Sequence, residues 1–211
     1  MNQSAENPLL TRIRALAQHE LAHFVAAISL GFKGYEVKFK MHPTEHVHRG
    51  SSRVDAVVRC DTLVGVREFM HKRAIVLLAG VMGESISRST LQVDMLKAKQ
   101  LLELGETGAG QDHAVAKELA QLLDNSASEA GDGLLPARGA GSMRVFQELF
   151  THAASVVQIN VQPVCALADM LASRVTPTPE GLIGAVMSLT DMEQAELFQL
   201  IRHVSLSELV L

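Results

Sequence analysis

The chain has 211 residues, of which 47% are hydrophobic, 20% charged and 4% aromatic, and its net charge is −4. That length can bury a substantial core as one large domain or two small ones, and a composition rich in Ala, Leu and Val favours helices over strands. The acidic balance gives no field for nucleic acid, and basic residues such as Arg12, Arg14 and those from Arg67 to Arg73 read as solvated helix faces.

Cys60 and Cys165 show no CxxC spacing and read as free thiols of a reducing compartment. The opening MNQSAENPLL lacks the basic and apolar regions of a secretory signal. The apolar runs near 24–32 and 74–83 are too short to span a bilayer. The expectation is a soluble, cytoplasmic protein with no membrane span and no nucleic-acid partner.

In chain order, residues 8–31 predict one helix, with Asn7 as N-cap, Pro8 in its first turn and Gly31 at its end. Beyond Leu21 it is apolar on most sides, which predicts a central position. YEVKFKM (35–41) and RVDAVVRC (53–60) predict a small hairpin or sheet. Residues 64–88 predict a second buried helix and 91–104 an amphipathic third, closed by Gly105. GETGAG is a turn, and QDHAVAKELAQLL starts the next helix. The Gly/Ala/Ser-rich stretch 125–142 predicts a long loop. Residues 143–174 predict helix that Pro163 kinks or splits. TPTPEG then predicts a further start, Thr178 as N-cap and Pro179 at the first helical position, with two short helices to the end. The fold class is mainly α with a small β hairpin or sheet.

The chemistry lies in HELAH, residues 19 to 23. His19 and His23 are four apart, so on a helix their rings share one face, where a single Zn²⁺ can take a nitrogen from each at about 2.0–2.1 Å. Glu20 stands about 100° round the axis and borders such a site without ligating, within reach of a metal-activated water as general base. A helix apolar on both flanks leaves these three polar side chains needing partners, since an unpaired buried charge costs several kcal/mol. A catalytic zinc needs a third protein ligand and an open fourth position. The candidates are His42, His46, His48, His71, Glu84, Asp112 and His113. His42, His46 and His48 lie in a polar loop and read as exposed rather than ligating, a second weak metal site there being the alternative. Asp112 follows a glycine turn where a carboxylate is also favoured as a cap, and Glu84 closes an apolar helical run. On chemistry alone these two are level.

HELAH, LLAGVMGESI and TGAGQDHAVAKELAQLL together, in this order, resemble the peptidase domain of the FtsH family of zinc metalloproteases, peptidase family M41. That family shows HEAGH, then a helix reading like LAGRAAEE, then a TGAsxD segment. The later DGLLPA resembles its glycine/proline loop and LADMLASRVTPTPEGL its closing helix–turn–helix, so the likeness spans nearly the whole chain. The resemblance implies a zincin-like HExxH helix followed by a helical bundle, with Asp112 as third zinc ligand and Glu84 supporting an imidazole from behind. It also implies one domain over 1–211, a helix–sheet–helix zinc-binding part at about 8–124 and a C-terminal helical part at about 143–211. Ala22 replaces the family's glycine, Gly83-Glu84-Ser85 stands where Ala-Glu-Glu is usual, and residues 86–105 look like an insertion. No GxxxxGK[ST] occurs, so the expectation is a free-standing peptidase domain without a P-loop ATPase.

The expectation is therefore a zinc-dependent endopeptidase without its own ATPase, acting on peptides or unfolded protein segments. His19, His23 and Asp112 would hold Zn²⁺, and Glu20 would relay the proton of a water to the leaving amine. The substrate would add as a strand to the sheet edge. A separate ATPase as partner and a homo-oligomer, after the family's hexameric rings, stay open. The rival expectation is a zinc domain that has lost turnover and serves as an interaction or regulatory module, marked by a fourth ligand such as His113 or His46 on the metal.

Overall fold

The N-terminal segment folds where its caps direct it. In the computed structural model, which describes residues 7–44, 48–55, 60–104, 109–127, 140–193 and 195–209, helix α1 is Pro8–Ser29. The Asn7 side chain accepts a hydrogen bond from the Leu9 N–H at 3.0 Å, and Pro8 sits where a missing N–H costs nothing. At the other end Gly31 takes φ +84, and the N–H groups of Phe32 and Gly31 return to the carbonyls of Ala27 and Ile28 at 2.9 and 3.0 Å. This is a Schellman closure, which only a residue free to adopt left-handed backbone makes cheaply.

From Leu16 to Ala27 every residue of α1 is buried, so this helix is the axis of the fold. Helix α2 (Leu63–Glu84) packs along it, capped by Thr62, whose hydroxyl accepts from the Gly65 N–H at 3.1 Å. Residues Ala74 to Gly83 of α2 are all buried. A side chain at Gly83 would collide with the Ala22 methyl and the Gln18 carbonyl, and the Gln18 amide donates to the Gly83 carbonyl at 2.8 Å. The two helices are in backbone contact there, and that closeness sets the geometry of everything above it.

A sheet covers another side of α1. Strand β1 (Lys33–Met41) pairs antiparallel with β2 (His48–Asp55), from Lys33 opposite Asp55 to Met41 opposite His48, with an irregularity between Gly34 and Glu36. The second strand thus lies earlier than the 53–60 expected from its hydrophobic pattern, and residues 56–59 are outside the described set. The reason is pairing: Val37, Phe39 and Met41 bury themselves against α1, and their neighbours across the ladder are Ser52, Gly50 and His48. The inward face of β2 is small and polar and at most half-buried, which hides a strand from any search for alternating apolar residues.

Past α2 comes a two-stranded hairpin, β3 (Ile86–Ser87) and β4 (Gln92–Val93), and then α3 (Met95–Leu104). The second and third helices are therefore shorter than expected, and Gly105 lies outside the described residues, as does the DGLLPA segment. Helices α4 (Ala109–Ala127), α5 (Ala140–Ile159) and α6 (Val161–Ser173) complete the bundle. Helices α5 and α6 meet at 73°, and Pro163 lies in the first turn of α6 as the expected splitter. Buried Asn160 marks the break, accepting from the Arg202 N–H at 2.7 Å and donating to the Val156 carbonyl at 3.0 Å. No single helix among the described residues is long and apolar enough to cross a membrane. Cys60 and Cys165 are not joined in a disulfide.

The helix expected from Thr178 does not form. Thr176–Pro177 is strand β5 and Ile183–Ser188 is strand β6, joined by a turn in which the Thr178 N–H donates to the Leu182 carbonyl at 2.8 Å. β6 pairs antiparallel with β1, Met41 opposite Ile183, and the sheet order is β2-β1-β6-β5. The C-terminal part is therefore not helical throughout but supplies a central strand to the N-terminal sheet. Helix α7 (Leu189–Glu193) and short 3₁₀ turns at Glu196–Leu200 and Leu206–Glu208 finish the described chain. The architecture is mainly α with a small antiparallel sheet.

The Gly83–Ala22 contact makes a test of helix packing. Gly83→Ala is expected to destabilise the fold by about 1–3 kcal/mol through overpacking. Combining it with Ala22→Gly should return about 1 kcal/mol, because neighbours in contact couple. Thermal melts of the four members of that cycle check it, and strict additivity would contradict the contact.

Candidate metal centre

Three side chains from two distant segments meet at one point. The Nε2 atoms of His19 and His23 lie 3.1 Å apart, one turn from each other on α1. Asp112, in the first turn of α4, brings Oδ2 to 3.0 Å from His23 Nε2 and 3.7 Å from His19 Nε2. A tetrahedral ion with bonds near 2.0–2.1 Å has ligand–ligand edges of about 3.3–3.4 Å, so this triangle is the size a divalent ion such as zinc requires.

The far side of each ring fixes its tautomer. His23 Nδ1 lies 2.7 Å from the Val76 carbonyl, which can only accept, so Nδ1 carries the proton and donates. His19 Nδ1 lies 3.1 Å from Glu84 Oε2 and donates to it in the same way. Both Nε2 lone pairs therefore point inward, toward each other and toward a carboxylate oxygen. Three acceptors at that spacing repel unless a cation sits among them. The donor set fits a metal.

The electrostatics of the protein atoms say the same. Burial works against a charged His19 ring, yet its hydrogen bonds to Asp112 and Glu84 and the charge of Glu20 overcome it and raise its pKa to about 10. Burial would lift the Asp112 carboxyl, but its bonds to His19 and His23 hold it well below the usual carboxylate range. Burial raises Glu20, against the lowering influence of both imidazoles. Positive charge is drawn to the centre, and Glu20 is shifted toward the range in which a carboxylate takes and gives protons.

Two glycines make the space. A side chain at Gly80 of α2 would collide with both Nε2 atoms, so only glycine lets that helix pass beneath the rings. A side chain at Gly50 of β2 would occupy the Glu20 carboxylate. Glu20 thus lies between α1 and the sheet, on the wall of a cavity of about 510 Å³ that also reaches His19, His23, Asp112 and Arg73.

The other sequence candidates are now placed. Asp112 faces the centre and Glu84 stands behind His19, which separates two carboxylates that chemistry alone had left level. His48 opens β2 on the cavity wall, and His42 lies beside Thr44, its Nδ1 3.2 Å from the threonine hydroxyl. His46 lies outside the described residues. His113 packs on Phe146, with ring centroids 5.4 Å apart. His71 is stacked with His152, 3.1 Å between Nε2 and Nδ1, where burial and the neighbouring ring lower its pKa to about 4. Arg73 is not on a solvated face as expected but on the cavity wall. The Val76 carbonyl, Gly50 and Gly80 were not singled out in the sequence. A glycine inside an otherwise apolar helix, as at Gly80, is the signal available there, because it costs about 1 kcal/mol unless something needs the room.

No protein-family model matches the chain, and no curated protein matches it.

Because the metal-free His19 ring holds its proton up to a pH of about 10, an incoming ion must displace that proton. Zinc binding at pH 7.5 is expected to release about one proton from this ring, and affinity should rise as much as tenfold per pH unit toward pH 10. Calorimetric titration in buffers of different ionisation enthalpy measures the release. Binding without proton release would contradict this arrangement.

Proposed function

We propose that the chain is a zinc-dependent endopeptidase that hydrolyses peptides or unfolded protein segments. The observation that carries this reading is the convergence of His19, His23 and Asp112 on one point, with Glu20 on the adjoining cavity wall. His19, His23 and Asp112 would hold the ion, which when bound supplies a Lewis acid and lowers the pKa of water toward about 7. The Glu84 carboxylate and the Val76 carbonyl hold the two imidazoles in the tautomer that presents Nε2. Glu20 accepts the proton of the attacking water and delivers it to the amine leaving the scissile bond.

The sheet supplies a place for the substrate. β2 is an outer strand of the sheet among the described residues, and Gly50 of that strand rests against Glu20. An extended peptide adding to the free edge of β2 would carry its backbone past the cavity, held by main-chain hydrogen bonds that are largely indifferent to sequence. The resemblance to the FtsH family favours the same assignment of Asp112 as ligand and Glu84 as support, and a separate ATPase or a homo-oligomer would follow from that family's architecture. A zinc-stabilised interaction module would call for a fourth protein ligand. Of the two histidines named for that place, His113 packs on Phe146 and His46 lies outside the described residues.

Glu20→Gln is expected to keep about one zinc per chain while casein or peptide cleavage falls by about 10²–10⁴-fold. Asp112→Asn should lose both zinc and cleavage. Zinc content by elemental analysis and cleavage of a quenched peptide measure the two. Unimpaired cleavage by Glu20→Gln would sink the proposal.

A further inference from the structure

The cavity holds one charged side chain for which the hydrolytic scheme has no task. Arg73 is half-buried on α2 and lines the same cavity as Glu20 and Asp112. It shares a helix face with Val76, Leu77 and Gly80, at spacings of three, four and seven. Gly80 lies directly under the two Nε2 atoms, so seven residues of helix, about 10 Å, separate the Arg73 backbone from the metal centre. An extended peptide covers that distance in about three residues.

Its neighbours leave the guanidinium unmatched. Lys72 is paired with Glu68 at 2.8 Å, whereas no ion pair joins Arg73 to a carboxylate among the described residues. Arg49 also borders the cavity, but it is opposite Lys40 on the sheet face turned to solvent, while Gly50 and His48 face α1 with Phe39 and Met41. Strand alternation places Arg49 on the exposed face of the sheet, whereas Arg73 is the half-buried arginine of the lining. A partly desolvated guanidinium in a polar cavity favours an incoming anion, and its planar fork matches a carboxylate with two parallel hydrogen bonds.

We propose that Arg73 anchors a carboxylate of the bound peptide about three residues from the scissile bond, which makes acidic peptides the preferred substrates. This inference rests on the peptidase reading above. The carboxylate has two sources, an Asp or Glu side chain or the C-terminus of a short peptide.

The test uses the zinc-loaded full chain carrying Glu20→Gln, so that peptides bind without turnover, and reads fluorescence anisotropy. The probes are alanine-based peptides that differ at one position as Glu, Gln or Lys, each with an amidated or a free C-terminus. The Glu or free-carboxylate probe is expected to bind best, and adding Arg73→Ala should weaken it about ten- to a hundredfold, as loss of a charge-assisted pair does. The amidated Gln peptide should change by less than about threefold. Arg73→Gln provides a second neutral variant if the alanine variant fails to melt cooperatively, and Arg73→Glu should turn the preference toward Lys. Discrimination by the side chain with both termini blocked identifies an internal acidic residue, and discrimination only by the free terminus identifies a chain end. Equal binding of all peptides, equal weakening of all by Arg73→Ala, or no binding of any overturns the inference. Failure of the peptidase reading is seen separately, as a wild-type chain that binds these peptides and cleaves none.

Discussion

The close approach of α1 and α2 is the constraint from which the rest follows. Gly83 lets the helices touch at Ala22 and Gln18, and Gly80, one turn earlier, lets α2 pass beneath His19 and His23. Without that contact the two imidazoles would have no floor, and the Val76 carbonyl would not reach His23. Ala22 and Gly83 face each other at this crossing, and the Ala22 methyl fills the room that the glycine leaves.

Burying Glu20, His19 and His23 on the central helix costs several kcal/mol unless each finds a partner. The structure supplies partners for the two imidazoles from two other helices, Glu84 and the Val76 carbonyl from α2 and Asp112 from α4, while the Glu20 carboxylate rests against Gly50 of β2. What remains unmet is positive charge at the centre. A proton on His19 meets it in the metal-free protein and a divalent ion would meet it better, which is why protonation and metal binding compete for one place. A polar cluster of this kind does little to stabilise the fold by itself. It persists where the cation it attracts has a use.

The parts of the fold that were legible in the sequence are those whose hydrophobic pattern and caps agree. Asn7, Pro8 and Gly31 bracket α1, and the apolar run from Ala74 to Gly83 marks α2. The ligand pair was legible for the same reason, because charged residues in an apolar helix need an explanation. The choice between Asp112 and Glu84 was not legible in the chemistry of the two residues, since both carboxylates suit their local positions; in the fold the packing of α4 against α2 tells them apart. Strand β2 was misplaced because the face it turns to α1 is His48, Gly50 and Ser52, none of them a buried apolar residue. Strand β6 was missed because TPTPEG serves equally as a helix start or a hairpin turn, and long-range pairing with β1 decides between them.

One of the two strands that pattern reading misplaced, β2, lines the cavity. A strand facing inward with small polar residues contributes nothing to a hydrophobic core, and a glycine inside an apolar helix weakens that helix. Each is a local cost that packing elsewhere must offset. Here both costs fall at the same cavity. Gly50 gives room to the Glu20 carboxylate and Gly80 gives room to the imidazoles, so the locally unfavourable choices on β2 and α2 converge with the charged residues of α1. Arg73 extends that pattern along α2, as a guanidinium that belongs on an exposed face by composition but borders the cavity in the fold. Residues chosen only to hold a bundle together would have no reason to violate three separate local preferences around a single point.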